Sequence, residues 1–551
     1  MTPGLAGFMV TGDEAVWDDV LDEMLAALAG AFEVVPDRGG PASGAQGKVP
    51  AGPRRHTWFD TFDWRLYRAG LFLEYVAAHR GGDLVLTGGS SASQQVTGWR
   101  TTRTYLAEEL PDGPVANQVA GLIYPRALLP LVTIASRTTV SRLLNADGKT
   151  IARLLIERPV IGEAALPPRV AIAEVRGYLG QARRAARIIA LTPGVEPAPD
   201  AAGAVQPASA GPLLDDALAA IGRRACDYST KVDAKITAGM PAPKAVAAIL
   251  LALLDALEAN ADGVLRDTDT EFLHDLRVAV RRTRAAIKLL GDALGLSDAD
   301  HDRFAAEFKW LGDLTTPVRD LDVHLLGFDA MARQLRAAKG DDLVPFRAFL
   351  EERRVREVRL LARGLRSQRF GELMRQWRAA LGKIAGRSAK RGGQALTAGE
   401  LAVGRTGKAF RKVSRNGAAI TPDSPPESLH DLRKRCKELR YALEFFAPLH
   451  DKAAYSAVIG DLKKLQDCLG DFQDTEVQIE EIRALAAAML DAGAAFGGST
   501  VPAGTLLAMG ELTAGLAESQ QAARAVFESR FAVFAGPDGQ RHMAMLLGGN
   551  K

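Results

Sequence analysis

Cysteine is scarce in this 551-residue chain: there are 3, Cys226, Cys436 and Cys468, and no two stand at zinc or redox spacing. A disulfide framework and a cysteine-rich metal site are therefore excluded as organising features. Aromatic residues make up only 6%, which leaves little of the stacking surface that single-strand nucleic-acid binders use. Long apolar runs are missing as well; the longest, such as Val246–Leu254, reach about half a membrane span. The N-terminus has no basic segment leading into an apolar one, because Asp13, Glu14, Asp18 and Asp19 interrupt it. No signal peptide is read there, and the expectation is a soluble cytoplasmic protein.

Hydrophobic residues at 47% and charged residues at 25% are ordinary for a globular chain. The length exceeds what one core supports, so two or three domains are expected. The net charge of +3 conceals a pattern. Residues 1–210 hold 20 Lys and Arg against 21 Asp and Glu, a net −1. Residues 351–415 hold 18 against 5, a net +13, and residues 461–551 hold 7 against 12, a net −5. A local excess of that size asks for an anionic partner.

Two low-complexity stretches divide the chain. Residues 36–53 are rich in Gly and Pro and read as a loop. Residues 192–212 combine five prolines with almost no large apolar side chain and read as a semi-extended linker. The part before it, 1–191, is a mixed α+β domain by pattern. It opens on a helix-like stretch with an amphipathic helix at 15–32, carries a hairpin across Asn145-Ala146-Asp147-Gly148, and ends on a basic helix at 177–191. The part after it, 213–535, shows period-3.6 stripes throughout and predicts an all-α domain of roughly eight to ten helices. Its halves are placed at about 213–385 and 395–535, with 536–551 as a tail.

Those halves are related by a repeat. TDTEFLHDLRVAVRRTRAAIKLL (268–290) aligns with SPPESLHDLRKRCKELRYALEFF (424–446). Thr268 with Glu271, and Ser424 with Glu427, predict a capping box at each helix start. Leu276, Val280, Thr283, Ile287 and Leu290 match Leu432, Cys436, Leu439, Leu443 and Phe446 as one buried face. Beside it run His274, Arg277, Arg281 and Arg284, matched by His430, Arg433, Lys437 and Arg440. Offsets of 0, 3, 7 and 10 keep each set within about 80° of arc and about 15 Å of helix. A second block repeats too: KWLGDLTTPVRDLDV (309–323) with KKLQDCLGDFQDTEV (463–477), led by Lys309 and Lys463. Approximate two-fold symmetry then brings both basic strips to one concave surface.

A single basic strip beside an apolar face is ordinarily a solvated flank. Two copies at the same spacing, without interleaved acids at 277, 281 and 284, point instead to a bound anion. Arg356, Arg359, Arg363 and Arg366 on one predicted helix, and Lys408, Arg411, Lys412 and Arg415 on another, add to the candidates, although Glu351, Glu352 and Glu357 can pair with some of them. Lys and Arg on such a surface neutralise anionic charge, and Arg bridges two oxygens at once. Trp377 and Tyr441 are the aromatic exceptions near the strips.

The His-Asp-Leu-Arg repeats, with the Leu-Gly-Asp and Arg-Asp-Leu-Asp-Val segment that follows the first, resemble the CHAD family, the conserved-histidine α-helical domains. The likeness spans residues 213–535 and implies two helical bundles with a basic cavity for inorganic polyphosphate. It implies that His274, Arg277, Arg281, Arg284, His430, Arg433, Lys437 and Arg440 line that cavity. Residues 56–73, the hairpin 138–157 and Glu174-Val175-Arg176-Gly177 resemble a CYTH domain, the triphosphate-tunnel fold. The Glu-x-Glu-x-Lys strand of that family is not found, and Glu74 and Val76 stand where it has basic residues. One carboxylate, Glu174, does not make a metal-dependent phosphoryl-transfer site, so a degenerate, inactive β-tunnel is expected.

Three readings stay open on the residues: a non-enzymatic polyphosphate-binding or granule-associated protein, a triphosphatase or polyphosphate hydrolase, and a nucleic-acid-binding or scaffold module. Neither catalytic nor metal-ligating residues are assigned, His274 and His430 being read as donors to phosphate or as ordinary helix histidines. No cofactor is expected beyond Mg²⁺ accompanying the polyanion. No membrane contact is expected, and the oligomeric state is left open.

Overall fold

The computed structural model describes residues 5–37, 53–78, 81–88, 94–99, 103–197, 210–231, 234–387, 396–495 and 501–548. Most of the expected loop at 36–53 and much of the expected linker at 192–212 lie outside the described residues. The chain forms two compact units, Met1–Ser229 and Thr230–Lys551.

The first unit is built on one antiparallel sheet. Its strands are β1 (Leu5–Val10), β2 (Glu33–Pro36), β3 (Arg54–Asp60), β4 (Leu71–Ala78), β5 (Gly81–Gly88), β6 (Gln94–Trp99), β7 (Leu129–Leu144), β8 (Thr150–Ile161), β9 (Ala164–Ala165), β10 (Arg169–Glu174) and β11 (Val195–Pro197). They are ordered β11-β1-β10-β8-β7-β3-β4-β5-β6, with β2 on β7 and β9 on β8. Its helices are α1 (Trp17–Ala29), α2 (Arg65–Arg68), α3 (Pro114–Ile123), α4 (Leu179–Ala190) and α5 (Ala210–Ala220). This is the expected α+β class.

Alternation along the strands assigns the two faces. Ala152, Leu154 and Ile156 of β8, with Val170 and Ile172 of β10, turn to one side and meet Trp17, Leu21, Met24 and Leu28 of α1 and Ala182, Ala185 and Ile189 of α4. Each large aliphatic side chain buried there contributes about 1.5–3 kcal/mol. The β7–β8 hairpin closes at the predicted turn, where Asn145 Oδ1 accepts from the N–H of Asp147 and of Lys149 at 3.1 and 2.9 Å. Gly148 adopts φ 72°, a conformation that costs glycine nothing.

Two readings of this part change. The opening residues are a strand, not a helix: β1 pairs with β10 and β11 and buries Phe8 and Val10. Six mostly apolar residues carry no helical stripe, and the sheet edge supplied their hydrogen bonds. Helix α5, assigned by sequence to the helical domain, packs Leu213, Leu214, Ala217 and Leu218 on Trp58, Val132, Ile134 and Leu166 of the first unit.

The described part of the second unit is helical: α6 (Ala242–Leu265), α7 (Thr270–Leu290), α8 (Asp298–Leu326), α9 (Phe328–Ala332), α10 (Val344–Leu365), α11 (Gln368–Ala385), α12 (Ala398–Ala418), α13 (Pro426–Phe445), α14 (Lys452–Ala495), α15 (Ala503–Ala535) and α16 (Pro537–Gly548). The predicted stripe is the core: Leu276, Leu290, Leu432, Cys436, Leu439, Leu443 and Phe446 are wholly buried, and Val280, Thr283 and Ile287 nearly so. The halves are not separate bundles. Leu321, Phe346 and Leu350 of α8 and α10 share a cluster with Ile482, Met489 and Leu512 of α14 and α15. The 44 residues of α14 are about 66 Å at 1.5 Å each, long enough to serve both halves. The expected tail is α16, whose Met543 and Leu546 join the core of the second half. Among the described residues, no helix is long and apolar enough to cross a membrane.

Candidate functional site

Both strip-bearing helices start where expected, but their caps differ from the capping boxes read in the sequence. Asp269, not Thr268, caps α7, its Oδ1 accepting from the N–H of Glu271 and of Phe272 at 2.9 and 3.1 Å. The Thr268 N–H instead closes the preceding helix on the Gly263 carbonyl. At α13 the Ser424 Oγ accepts from the N–H of Thr421 at 2.9 Å, and Pro425 and Pro426 begin the helix without a side-chain cap. Proline fixes φ in advance and sacrifices only an N–H that has no helical partner.

Helices α7 and α13 touch directly. Arg282 pairs with Glu444 at 3.1 Å and Lys288 with Glu438 at 2.8 Å. The repeat offset is 156 residues, so position 282 corresponds to 438 and 288 to 444. Each bond thus joins one repeat position to the other in the opposite copy, as a two-fold axis at the crossing requires. The first copy supplies both cations and the second both carboxylates.

The strips then lean on the next helix of each half. Arg277 donates to the Thr316 and Thr315 hydroxyls of α8 at 2.7 and 3.1 Å. Burial lowers its pKa, as do the positive Arg281, Arg319 and Arg284 beside it, against the pull of Asp320. Gly312 of α8 leaves room for Arg284; a Cβ there would stand 2.8 Å from that guanidinium. In the second half, Arg433 donates to Asp474 of α14 at 2.8 Å and His430 Nδ1 bonds the Gln473 amide oxygen. Arg440 reaches Glu444 at 2.7 Å and Gln466 at 3.3 Å. His274 is half-buried on its strip.

A crevice of about 380 Å³ opens between them. Its cationic wall is Arg281 and Arg282 from α7 with Arg433, Lys437 and Arg440 from α13; opposite stand Asp467, Asp471 and Asp474 of α14, with Tyr441, Glu444, Gln466 and Gly470 completing the lining. The Lys437 ammonium is pulled down to about 8, first by lost hydration in the crevice and then by the charges of Arg433 and Arg281. The side chain as a whole is nevertheless exposed, so water screens part of that effect. A second cavity of about 610 Å³ adjoins along α14 and shares Asp471 and Asp474.

Arg281, Arg433, Lys437 and Arg440 are therefore brought to one wall, and Arg277 and Arg284 lie within electrostatic reach of it. The other nominated cations line no part of this crevice. Lys309 is exposed and paired with Asp313 at 2.6 Å, and Lys463 is exposed. Arg356 pairs with Glu352 on the open face of α10, where Arg359 and Arg363 are also exposed. Lys408 and Arg411 project from α12. Trp377 is no platform: it is wholly buried against Phe304 and Phe308. Sequence reasoning missed Arg282 and the facing carboxylates. The match of Asp320 with Asp474 was a usable signal for the latter, since both aspartates act on the equivalent arginines, Arg277 and Arg433.

Among solved structures, the CHAD domain of the plant Ricinus communis is 24% identical, covers 55% of this chain and 96% of its own, and has a TM-score of 0.46. PptA from Streptomyces chartreusis is 18% identical, covers 53% of this chain and 99% of its own, and has a TM-score of 0.39. No curated protein matches this chain. The family model of the CHAD domain matches residues 248–483, a span holding both His-Asp-Leu-Arg helices and the whole cationic wall, so the second unit of this chain contains a CHAD domain.

Proposed function

We propose that the helical unit binds linear inorganic polyphosphate without turning it over. The observation that carries this reading is the single cationic wall assembled from both repeats: Arg281 from one, Arg433, Lys437 and Arg440 from the other. Like charges held this close repel, and Arg433 and Arg281 add their repulsion to the burial that lowers Lys437; a polyanion relieves that repulsion. Two of the arginines already hold carboxylates, Arg433 with Asp474 and Arg440 with Glu444. A ligand must displace or outbid these, which a monoanion does poorly and a dense linear polyanion does well. Association with polyphosphate granules would follow from such binding.

Tyr441 on the crevice wall favours one rival, single-stranded nucleic acid, because it offers one stacking face. Calorimetric titration of the full chain with long-chain polyphosphate and with RNA of equal charge decides between them. Polyphosphate is expected to bind more tightly and to displace RNA. Equal or tighter binding of RNA would sink the proposal.

A further inference from the structure

The first unit holds reactive side chains that the polyanion reading does not use. His56 of β3, Glu74 of β4 and Ser136 of β7 lie on three adjoining strands. The register sets His56 opposite Val76 and Ile134, so Glu74 and Ser136, two residues from these, share its face on the diagonal. His56 Nδ1 is 2.5 Å from Glu74 Oε1, and His56 Nε2 is 3.1 Å from Ser136 Oγ. A carboxylate only accepts, so in the neutral imidazole Nδ1 carries the proton and Nε2 offers its lone pair to the Ser136 hydroxyl. Burial would lower the His56 pKa, but the bond to Glu74 and its charge raise it overall. Hydroxyl, imidazole and carboxylate thus form one hydrogen-bonded chain, the order in which a nucleophile, its base and an orienting carboxylate are linked.

A buried cation shares the face. Arg169 of β10 stands opposite Glu157 of β8, which stands opposite Thr138, two residues from Ser136. Arg169 is 3% exposed, and its Nε and one terminal nitrogen lack a hydrogen-bond partner among the described residues. Its other nitrogen donates to Asp216 of α5 at 3.1 Å. Unused donors on a buried guanidinium are costly, and they suit a developing oxyanion. Helix α5 lies over the same sheet face, with Leu213, Leu214 and Leu218 on Trp58, Val132 and Ile134. Ser136 is 3% exposed, so the group is closed in this conformation.

We propose that Ser136, His56 and Glu74 form a latent acyl-transfer site for carboxylic esters, opened when α5 lifts from the sheet. Ser136 Oγ attacks the carbonyl carbon while its proton passes to His56 Nε2. The carbonyl electron pair moves onto oxygen, which takes the guanidinium that Asp216 has left. Collapse breaks the ester bond, and the departing alcohol takes the proton from His56. Water, giving a proton to the same nitrogen, then releases the acid and restores the serine. This reading is independent of the polyanion site in the second unit.

The test uses the full chain and a fluorophosphonate probe, whose phosphorus bonds to an activated serine with loss of fluoride. Two opened backgrounds are compared with the wild type: Asp216→Asn, which removes only the ion pair, and Leu214→Ser with Leu218→Ser. Ser136 is expected to label faster in both than in the wild type, and Ser136→Ala to abolish the adduct. His56→Ala in the same background should slow labelling at least about a hundredfold, the low end of a general base's contribution, with Glu74→Gln also slower. No Ser136 adduct in either opened background overturns the proposal, as does labelling undiminished by His56→Ala. Should the leucine variant unfold, Asp216→Asn with Leu218→Ser, which leaves Leu213 and Leu214 on the sheet, decides in its place.

Discussion

Among the cations lining the crevice, Lys437 is set apart by losing its charge near physiological pH; guanidinium groups stay protonated throughout. Its pKa in the free protein is about 8, against an ordinary 10.5. Burial is the larger cause of the depression and persists in the complex; a bound polyanion offsets the repulsion from Arg433 and Arg281, so the complex holds the proton more tightly and binding takes up a proton as pH rises past 8. Full restoration of the ordinary 10.5 from a free value of about 8 sets the upper bound: affinity almost unchanged from pH 6 to 7 and then falling about tenfold by pH 9, or 1.4 kcal/mol. Water around the partly exposed ammonium screens some of this, so a fall of about three- to tenfold is the expected range. The sign is opposite for stability of the free protein: between 8 and 10.5 the unfolded chain binds more protons, so stability rises with pH while affinity falls. The assay is titration with long-chain polyphosphate at fixed ionic strength and pH 6, 7, 8 and 9, on wild type and Lys437→Arg. The arginine variant keeps its charge and should show a flat profile. If both proteins lose affinity in parallel, the proton is not on Lys437 and the reasoning is wrong.

Arg277→Ala with Arg281→Ala, and separately Arg433→Ala with Lys437→Ala, should each weaken polyphosphate binding at least about tenfold, since charge-assisted contacts contribute roughly 1.5–3 kcal/mol. One silent pair in a folded variant would show that the repeats do not share a site, and both should lose affinity steeply with salt by analogy with nucleic acids. Asp474→Asn frees Arg433 from its 2.8 Å bond and should tighten binding severalfold by titration; weaker binding would mean the carboxylate positions the arginine. Leu276→Asp places a charge on a wholly buried position and should abolish the cooperative helical signal in circular dichroism, not binding alone. With Mg²⁺ or Mn²⁺ the full chain should release no phosphate from triphosphate or ATP, and turnover lost in Glu174→Ala would reverse the inactive-tunnel reading.

The helical unit was legible because its signals are local and repeated. A 4-3-4-3 apolar stripe and a strip offset from it by one position need no tertiary information, and both appear where the period put them. What stayed hidden depends on partners distant in sequence. Arg277 is held by Thr315 and Thr316, 38 and 39 residues away, and Arg433 by Asp474, 41 away. The exposed strip Arg356, Arg359 and Arg363 has the same spacing as the crevice strip and a different fate. Periodicity reports a shared face; only the packing of α10 decides where that face looks. Helix α5 was misassigned for a related reason: its composition suits either unit, and the complement that claims it, Trp58 with Val132 and Ile134, lies 79 to 160 residues earlier.

The α7–α13 crossing carries the argument one step further. Had both repeats kept the same residues at these positions, a two-fold axis would have set cation against cation or acid against acid. Instead one copy has Arg282 and Lys288 and the other Glu438 and Glu444, so each copy is complementary to the other and repelled by itself. Partly exposed pairs of this kind contribute little to stability, about 0–1 kcal/mol each. Their larger effect is on specificity, because two first copies or two second copies would set like charges together at this crossing. The repeated strip and the diverged crossing thus meet in one arrangement: Arg281, Arg433, Lys437 and Arg440 keep the same sign in both copies, while Arg282 and Glu444, which line the same crevice, belong to the pairs that have become opposite.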